Sequence, residues 1–352
     1  GITGLFQEEN GILWASLPGG VAKIYYPSQV TFYDYRIGMP MYWPQVYHFN
    51  DNLVVYSDYR IFMGCYDMSG CLSKFDEMNL SGGQLIESCF ADGGDLLFSV
   101  SGTLYSYDGT GSPKKFATDL PSARMSQVAG HPDYVVVFGS DRHGLVHKEK
   151  DGWKLVQTIP SMGFPATVHT SRSGEMWVEH GLGRVSKVRF ENGRISGQEF
   201  DSIEDLSGSW VNVWALNGEI YLGSGVVIKR YDSTTGRIVA APEMKQFLDS
   251  VGGRVSRCFE APDGTIWASG NYGVFLVRIA NGQYFVDRST LRPVSESNTL
   301  IDFDGDNIVW MLSRNRMVRY DATRNPPRYR ELMPVASLAT TTDRKSNLPQ
   351  IV

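Results

Sequence analysis

The chain has 352 residues, with 33 basic against 38 acidic side chains and a formal net charge of −5. That balance excludes the basic footprint that a nucleic-acid binder needs to replace phosphate counterions. A hydrophobic fraction of 42% with 20% charged residues excludes a disordered chain, and no apolar run approaches the ~20 residues of a membrane-spanning helix. The 37 glycines and the 8 Trp, 18 Tyr and 17 Phe combine many turns with many large strand formers, which points to an all-β protein. Residue 1 is Gly and no charged-then-apolar leader follows it, so the sequence reads as a processed form or a cut fragment.

A single pattern recurs along the chain: a strand, a polar turn, an apolar triplet often ending in an aromatic, a second turn and another strand. In chain order the aromatic position falls at Trp14, Val55, Leu97, Phe138, Trp177, Tyr221, Trp267 and Trp310. The clearest copies are Asn10-Gly11-Ile12-Leu13-Trp14-Ala15-Ser16, Ser173-Gly174-Glu175-Met176-Trp177-Val178, Asn217-Gly218-Glu219-Ile220-Tyr221-Leu222-Gly223 and Asp263-Gly264-Thr265-Ile266-Trp267-Ala268-Ser269. The mean spacing is about 42 residues, the period of a four-stranded propeller blade. The second strand of each unit is apolar at consecutive positions, as in a sheet buried on both faces. The fold predicted is therefore a β-propeller of four-stranded antiparallel blades with eight units over residues 1–331. A seven-bladed ring plus one extra unit is the alternative. The Trp set at the blade period reads as core packing.

Glu243–Val251 is at most a short helical insert. Residues 332–352 lack the repeat and read as an exit segment or linker. Of the four cysteines, Cys65 and Cys71 flank a turn and either bridge two hairpin strands or remain free, while Cys89 and Cys258 sit in apolar strands and read as inert core thiols. Asp302-Phe303-Asp304-Gly305-Asp306-Asn307 has the composition of a calcium loop, but its Gly is misplaced for an EF-hand and it falls at a strand turn. No metal and no cofactor are expected.

The internal motifs choose among propeller families. A WD signature is absent, the adjacent Asp263-Gly264 differs from a sialidase Asp box, and no kelch double glycine recurs. Ala261-Pro262-Asp263-Gly264-Thr265-Ile266-Trp267-Ala268-Ser269 with Gly273-Val274-Phe275-Leu276-Val277-Arg278-Ile279 resembles the two-component-regulator propeller repeat. Glu8-Glu9-Asn10-Gly11-Ile12-Leu13-Trp14-Ala15-Ser16 with Gly20-Val21-Ala22-Lys23-Ile24 is similar. The resemblance spans roughly residues 2–331. It implies a periplasmic or extracellular sensor region of a two-component signalling protein, with neighbouring domains of a longer chain as partners.

In a propeller the loops between second and third strands share a rim with the connections between blades and surround the axial channel, so that rim is the expected site. It carries Tyr42, Trp43, Asp58, Tyr59, Arg60, Asp141, Arg142, His143, His180, Trp210, Tyr272, Arg314 and Arg316. Aromatics beside Arg and Asp suit a small molecule or a glycan: rings stack on apolar faces and charged groups take directed hydrogen bonds. The expected function is non-catalytic ligand sensing, with no nucleic-acid partner and no direct membrane span. The alternatives are a lyase or hydrolase using His143 and His180 as acid and base, and a protein-interaction platform. The lyase alternative rests on likeness to streptogramin lyase turns, but the repeated Phe-Thr-Glu ending of that enzyme is missing.

Overall fold

The computed structural model describes residues 3–7, 12–18, 20–25, 30–33, 38, 42–66, 72–92, 94–271, 273–291, 294, 299–304, 307–313, 316–323 and 333–334. They form a seven-bladed β-propeller. Six blades are runs of four consecutive antiparallel strands within residues 45–77, 88–117, 124–160, 167–200, 212–240 and 255–287. The seventh takes three strands, Leu300–Asp304, Ile308–Leu312 and Met317–Asp321, and borrows its outermost strand, Val30–Tyr33, from near the start of the chain. The register pairs Met317 with Tyr33 and Tyr320 with Val30.

This corrects the expectation of eight blades in favour of the seven-bladed alternative. The first unit does not enter the ring as a blade. Its first three strands, Gly4–Gln7, Ile12–Leu17 and Gly20–Tyr25, form a separate sheet completed by Met333–Pro334, with Val21 opposite Met333. Its fourth strand closes the ring instead. The two outermost strands are thus exchanged, and the segment read as an exit linker carries one of them; residues 335–352 lie outside the described residues.

Apolar packing follows the ring. Hydrophobic clusters fill each of the seven interfaces between neighbouring blades, including that between the last blade and the first, where Trp310, Leu312 and Met317 meet Val46, Val55 and Phe62. Second strands such as Asp95–Val100 and Met176–Gly181 are buried along their whole length because both faces meet another blade. Trp177, Trp267 and Trp310 are buried in these interfaces, in keeping with the core reading. Cys89 and Cys258 are buried free thiols; Cys65 is free and lies 3.1 Å from Asp76, while Cys71 lies outside the described residues. Helix Met244–Ser250 occupies the expected insert and seals the interface of blades five and six with Met244 and Phe247. Among the described residues no helix is long and apolar enough to cross a membrane.

Candidate ligand-binding site at the channel mouth

First strands surround the axis, so their inward side chains line a channel. The other strands of a blade alternate between apolar interfaces, but these first strands carry polar residues at alternate positions. Gln45 and Tyr47, Arg124 and Ser126, and Thr167 and His169 all face a channel cavity of about 220 Å³, together with Asp302. Above it a larger cavity of about 390 Å³ opens at the rim, within the range of small-molecule sites. Gln45 and Arg124 line both, so the two cavities are adjacent.

The wall of the mouth comes from blades one and three, the connections on either side of blade two, and the segments just before blade one and just after blade three. Tyr42, Trp43, Tyr56, Tyr59 and Phe164 supply aromatic surface, and Asp58, Glu87 and Arg124 supply charge. Each wall element has a local support. Ser57, fully buried at the base of the first-blade hairpin, accepts the Tyr42 N–H at 2.9 Å and donates to the Tyr42 carbonyl at 3.2 Å, which holds the Tyr42–Trp43 strap in place. Tyr56 donates to the backbone carbonyls of Ile86 and Glu87, both at 2.9 Å, and ties the first blade to the second.

The hairpin tip is strained. Ser57 pairs with Arg60, and the two loop residues between them, Asp58 and Tyr59, have φ of 50° and 61°. This is a type I′ turn, whose second position favours glycine, yet a bulky aromatic stands there, 48% exposed. A left-handed L-residue costs about 1 kcal/mol or more, so the ring is displayed at the mouth at the expense of stability. Tyr59→Gly is expected to leave stability unchanged or raise it by up to about 1 kcal/mol. Chemical denaturation checks this, and a loss above that magnitude would show that the Tyr59 ring is a packing residue.

The charges of the mouth are not equally free. Arg60 holds Asp58 at 3.0 Å and reaches Glu77 at 3.3 Å. Glu87 accepts hydrogen bonds from the Ser99 hydroxyl at 2.7 Å and the Gly102 N–H at 3.1 Å. Arg142 pairs with its neighbour Asp141 at 3.2 Å, beside Ser140 of the cavity wall. Arg124 differs: its Nε donates to the Ala166 carbonyl at 3.0 Å and its Nη1 to the Ala123 carbonyl at 2.9 Å, and no carboxylate pairs with it among the described residues.

The remaining rim candidates lie elsewhere. His143 is buried between blades three and four, with neither ring nitrogen hydrogen-bonded, and burial followed by the neighbouring His180 pulls its pKa down to about 4. His180 is stacked 6.1 Å from it; its Nδ1 meets the Gly163 carbonyl at 2.9 Å and its Nε2 the Ser186 hydroxyl at 2.8 Å. Trp210 lies over Gly181, where φ is 74° and a Cβ would come within 3.0 Å of the indole. Arg316 stacks over Phe32 of the closing strand at 5.5 Å. Tyr272 and Arg314 lie outside the described residues. The first-strand residue Arg124 did not figure among the sequence candidates, although the alternate polar positions Arg124-x-Ser126 and Thr167-x-His169 on otherwise apolar strands are a signal for channel-facing residues.

Deeper in the channel, Asp302 is exposed to the channel water, while the walls around it limit its hydration. Burial, then repulsion from Asp304, pushes its pKa up to about 6. Asp304 is itself held by His48 at 2.9 Å and by the Trp310 indole N–H at 3.1 Å. A carboxyl with a raised folded pKa binds its proton more tightly when folded, so stability falls as pH rises from about 4 through 6. Asp302→Asn is expected to raise the melting temperature at pH 8 and to leave it unchanged at pH 4. An equal effect at both values would show that Asp302 does not titrate in this window.

No protein-family model matches the sequence, and no curated protein matches it. Solved propellers do match in structure. The extracellular domain of the putative hybrid two component system BT3049 from B. thetaiotaomicron has a TM-score of 0.60 at 14% identity, over 91% of this chain and 45% of that one. The present chain therefore spans less than half the length of that domain. YCF48 bound to D1 peptide has a TM-score of 0.56 at 12% identity, covering 80% of this chain and 94% of that one. Virginiamycin B lyase from Staphylococcus aureus has a TM-score of 0.53 at 14% identity, covering 82% and 98%. At these identities the likeness shows the fold, and the fold hosts sensors, binders and enzymes alike.

Proposed function

We propose that the propeller is the ligand-binding module of an extracytoplasmic sensor of the two-component type, and that it takes a small molecule or glycan at the channel mouth. The observation that carries this reading is the aromatic-walled cavity of about 390 Å³, built jointly by blades one and three and the connections around them. A ligand seated there touches several blades at once, so its binding free energy acts on their relative placement. It shifts a signalling equilibrium by its differential affinity for the two states. The likeness to an extracellular two-component domain supports the location and the partnership with further domains of a longer chain. Binding is proposed to proceed without turnover: no histidine lines the mouth, and both nitrogens of His180 are already engaged.

The test is thermal denaturation against a panel of mono- and disaccharides. Ligand at 100 times its Kd stabilises by about 2.7 kcal/mol, a shift of several degrees. Trp43→Ala and Tyr59→Gly are expected to abolish that shift while the unliganded melting temperature stays close to wild type. A shift that persists in both variants would place the ligand elsewhere and overturn the reading.

A further inference from the structure

We infer that the channel mouth selects anionic ligands, and that Arg124 receives a carboxylate carried by a small ring such as a uronic-acid sugar. The inference rests on the proposed binding site and names its ligand class. Arg124 lines both the mouth and the channel below it. Its guanidinium has five donor hydrogens, of which two are used, both on uncharged backbone carbonyls. Three donors are left with no partner among the described residues. Arg124 is half-buried, and a partly desolvated cation without a counter-ion gains from a bound carboxylate.

The neighbouring charges sharpen the case. Enclosure is the main influence on Arg124 and disfavours its charge; Tyr47 and Tyr56 oppose it, Arg257 adds repulsion, and Glu179 attracts. Glu179 is already committed, with Arg257 Nη1 at 2.7 Å from both of its oxygens. At the mouth, Asp58 is neutralised by Arg60 and Glu87 is held by Ser99 and Gly102. The cation left over is Arg124. Beside it, Trp43, Tyr56 and Tyr59 offer faces for the apolar side of a sugar ring. The arrangement suits one negative group and one ring in a single ligand, because the guanidinium fork matches a carboxylate's two oxygens.

Calorimetric titration of the full chain with a uronate-terminated disaccharide, its neutral counterpart and sodium acetate tests this. The uronate is expected to bind at least about 10-fold tighter than the neutral sugar, consistent with a hydrogen bond to a charged group. Arg124→Gln is expected to erase that preference and leave the weak neutral binding in place. Arg124→Lys, which keeps the charge but loses the fork, is expected to weaken the uronate about 3-fold and to keep a reduced preference for it; it serves as the second variant should Arg124→Gln fail to fold. Equal affinity for the two sugars in the wild type, or a preference that survives Arg124→Gln, overturns the anion inference while leaving the site intact. Acetate binding without either sugar would show an anion hole and overturn the ring component. Failure of all three ligands, with no effect of Trp43→Ala in the wider panel, overturns the binding site and this inference with it.

Discussion

A chain that starts at residue 37 is expected to lose cooperative folding, whereas one that starts at residue 29 is expected to keep the ring. The difference is the strand Val30–Tyr33. Its two buried side chains serve different interfaces: Val30 packs with Trp267, Val309 and Val318 between blades six and seven, and Tyr33 packs with Trp310, Met317 and Phe75 between blades seven and one. Removing them forfeits about 1.5–3 kcal/mol for each buried side chain and about 1 kcal/mol for each ladder hydrogen bond. It also leaves Met317–Asp321 as an unpaired edge, open to pairing with another chain. The sum is comparable with the whole stability of a typical domain, about 5–15 kcal/mol. Sequential truncation followed by circular-dichroism melts reads the outcome. Val30→Asp supplies a graded version, with an expected loss of about 3 kcal/mol or more from a charge placed in that interface. A truncation at residue 37 that melts like the full chain would mean that the ring closes without its borrowed strand.

The same strand shows where the sequence stops being legible. The blade period could be read from local signals, because each unit needs the same turns and the same doubly buried second strand. The pairing of the last strand could not. Val30-Thr31-Phe32-Tyr33 presents an outer-strand pattern that would suit the first unit as well as the seventh, and only closure of the ring, across almost the full chain length, decides between them. Tyr42, Trp43, Asp58 and Tyr59 were legible as rim residues because topology alone sends those loops to the channel mouth, and they do line the cavity. His143 is the second residue of its strand, where rim loop and blade interface differ by a single residue, and its side chain turns inward to Phe138 and His180. Arg124 was obscured for the opposite reason. Rim loops are the candidates a propeller sequence displays, whereas the innermost strands also face solvent, from within.

Glu179→Ala is expected to cost about 3–5 kcal/mol, because it strands a buried guanidinium. Glu179 comes from the second strand of blade four and is fully buried; Arg257 comes from the first strand of blade six and is 6% exposed. Between them the Val213 N–H of blade five donates to Glu179 at 2.7 Å, and His169 Nε2 lies 3.0 Å from the same oxygen. One carboxylate therefore ties three blades on the side of the ring away from the mouth's aromatic wall. Burial alone would raise the Glu179 pKa, but Arg257, then His169 and the Val213 N–H, hold it well below the usual carboxylate range. Because the folded pKa is depressed, this stabilisation is fully present above the unfolded value of about 4.5 and is lost as pH falls through the folded value. The paired replacement Glu179→Leu with Arg257→Met is expected to recover most of the stability lost by Glu179→Ala, since neither charge is then buried alone. It is also expected to lack this acid-linked loss between about pH 5 and pH 2. Urea denaturation of the three proteins at pH 7 and pH 3 separates the contributions. A double variant as unstable as Glu179→Ala at pH 7 would show that the site depends on the hydrogen bonds to Val213 and His169 rather than on the ion pair.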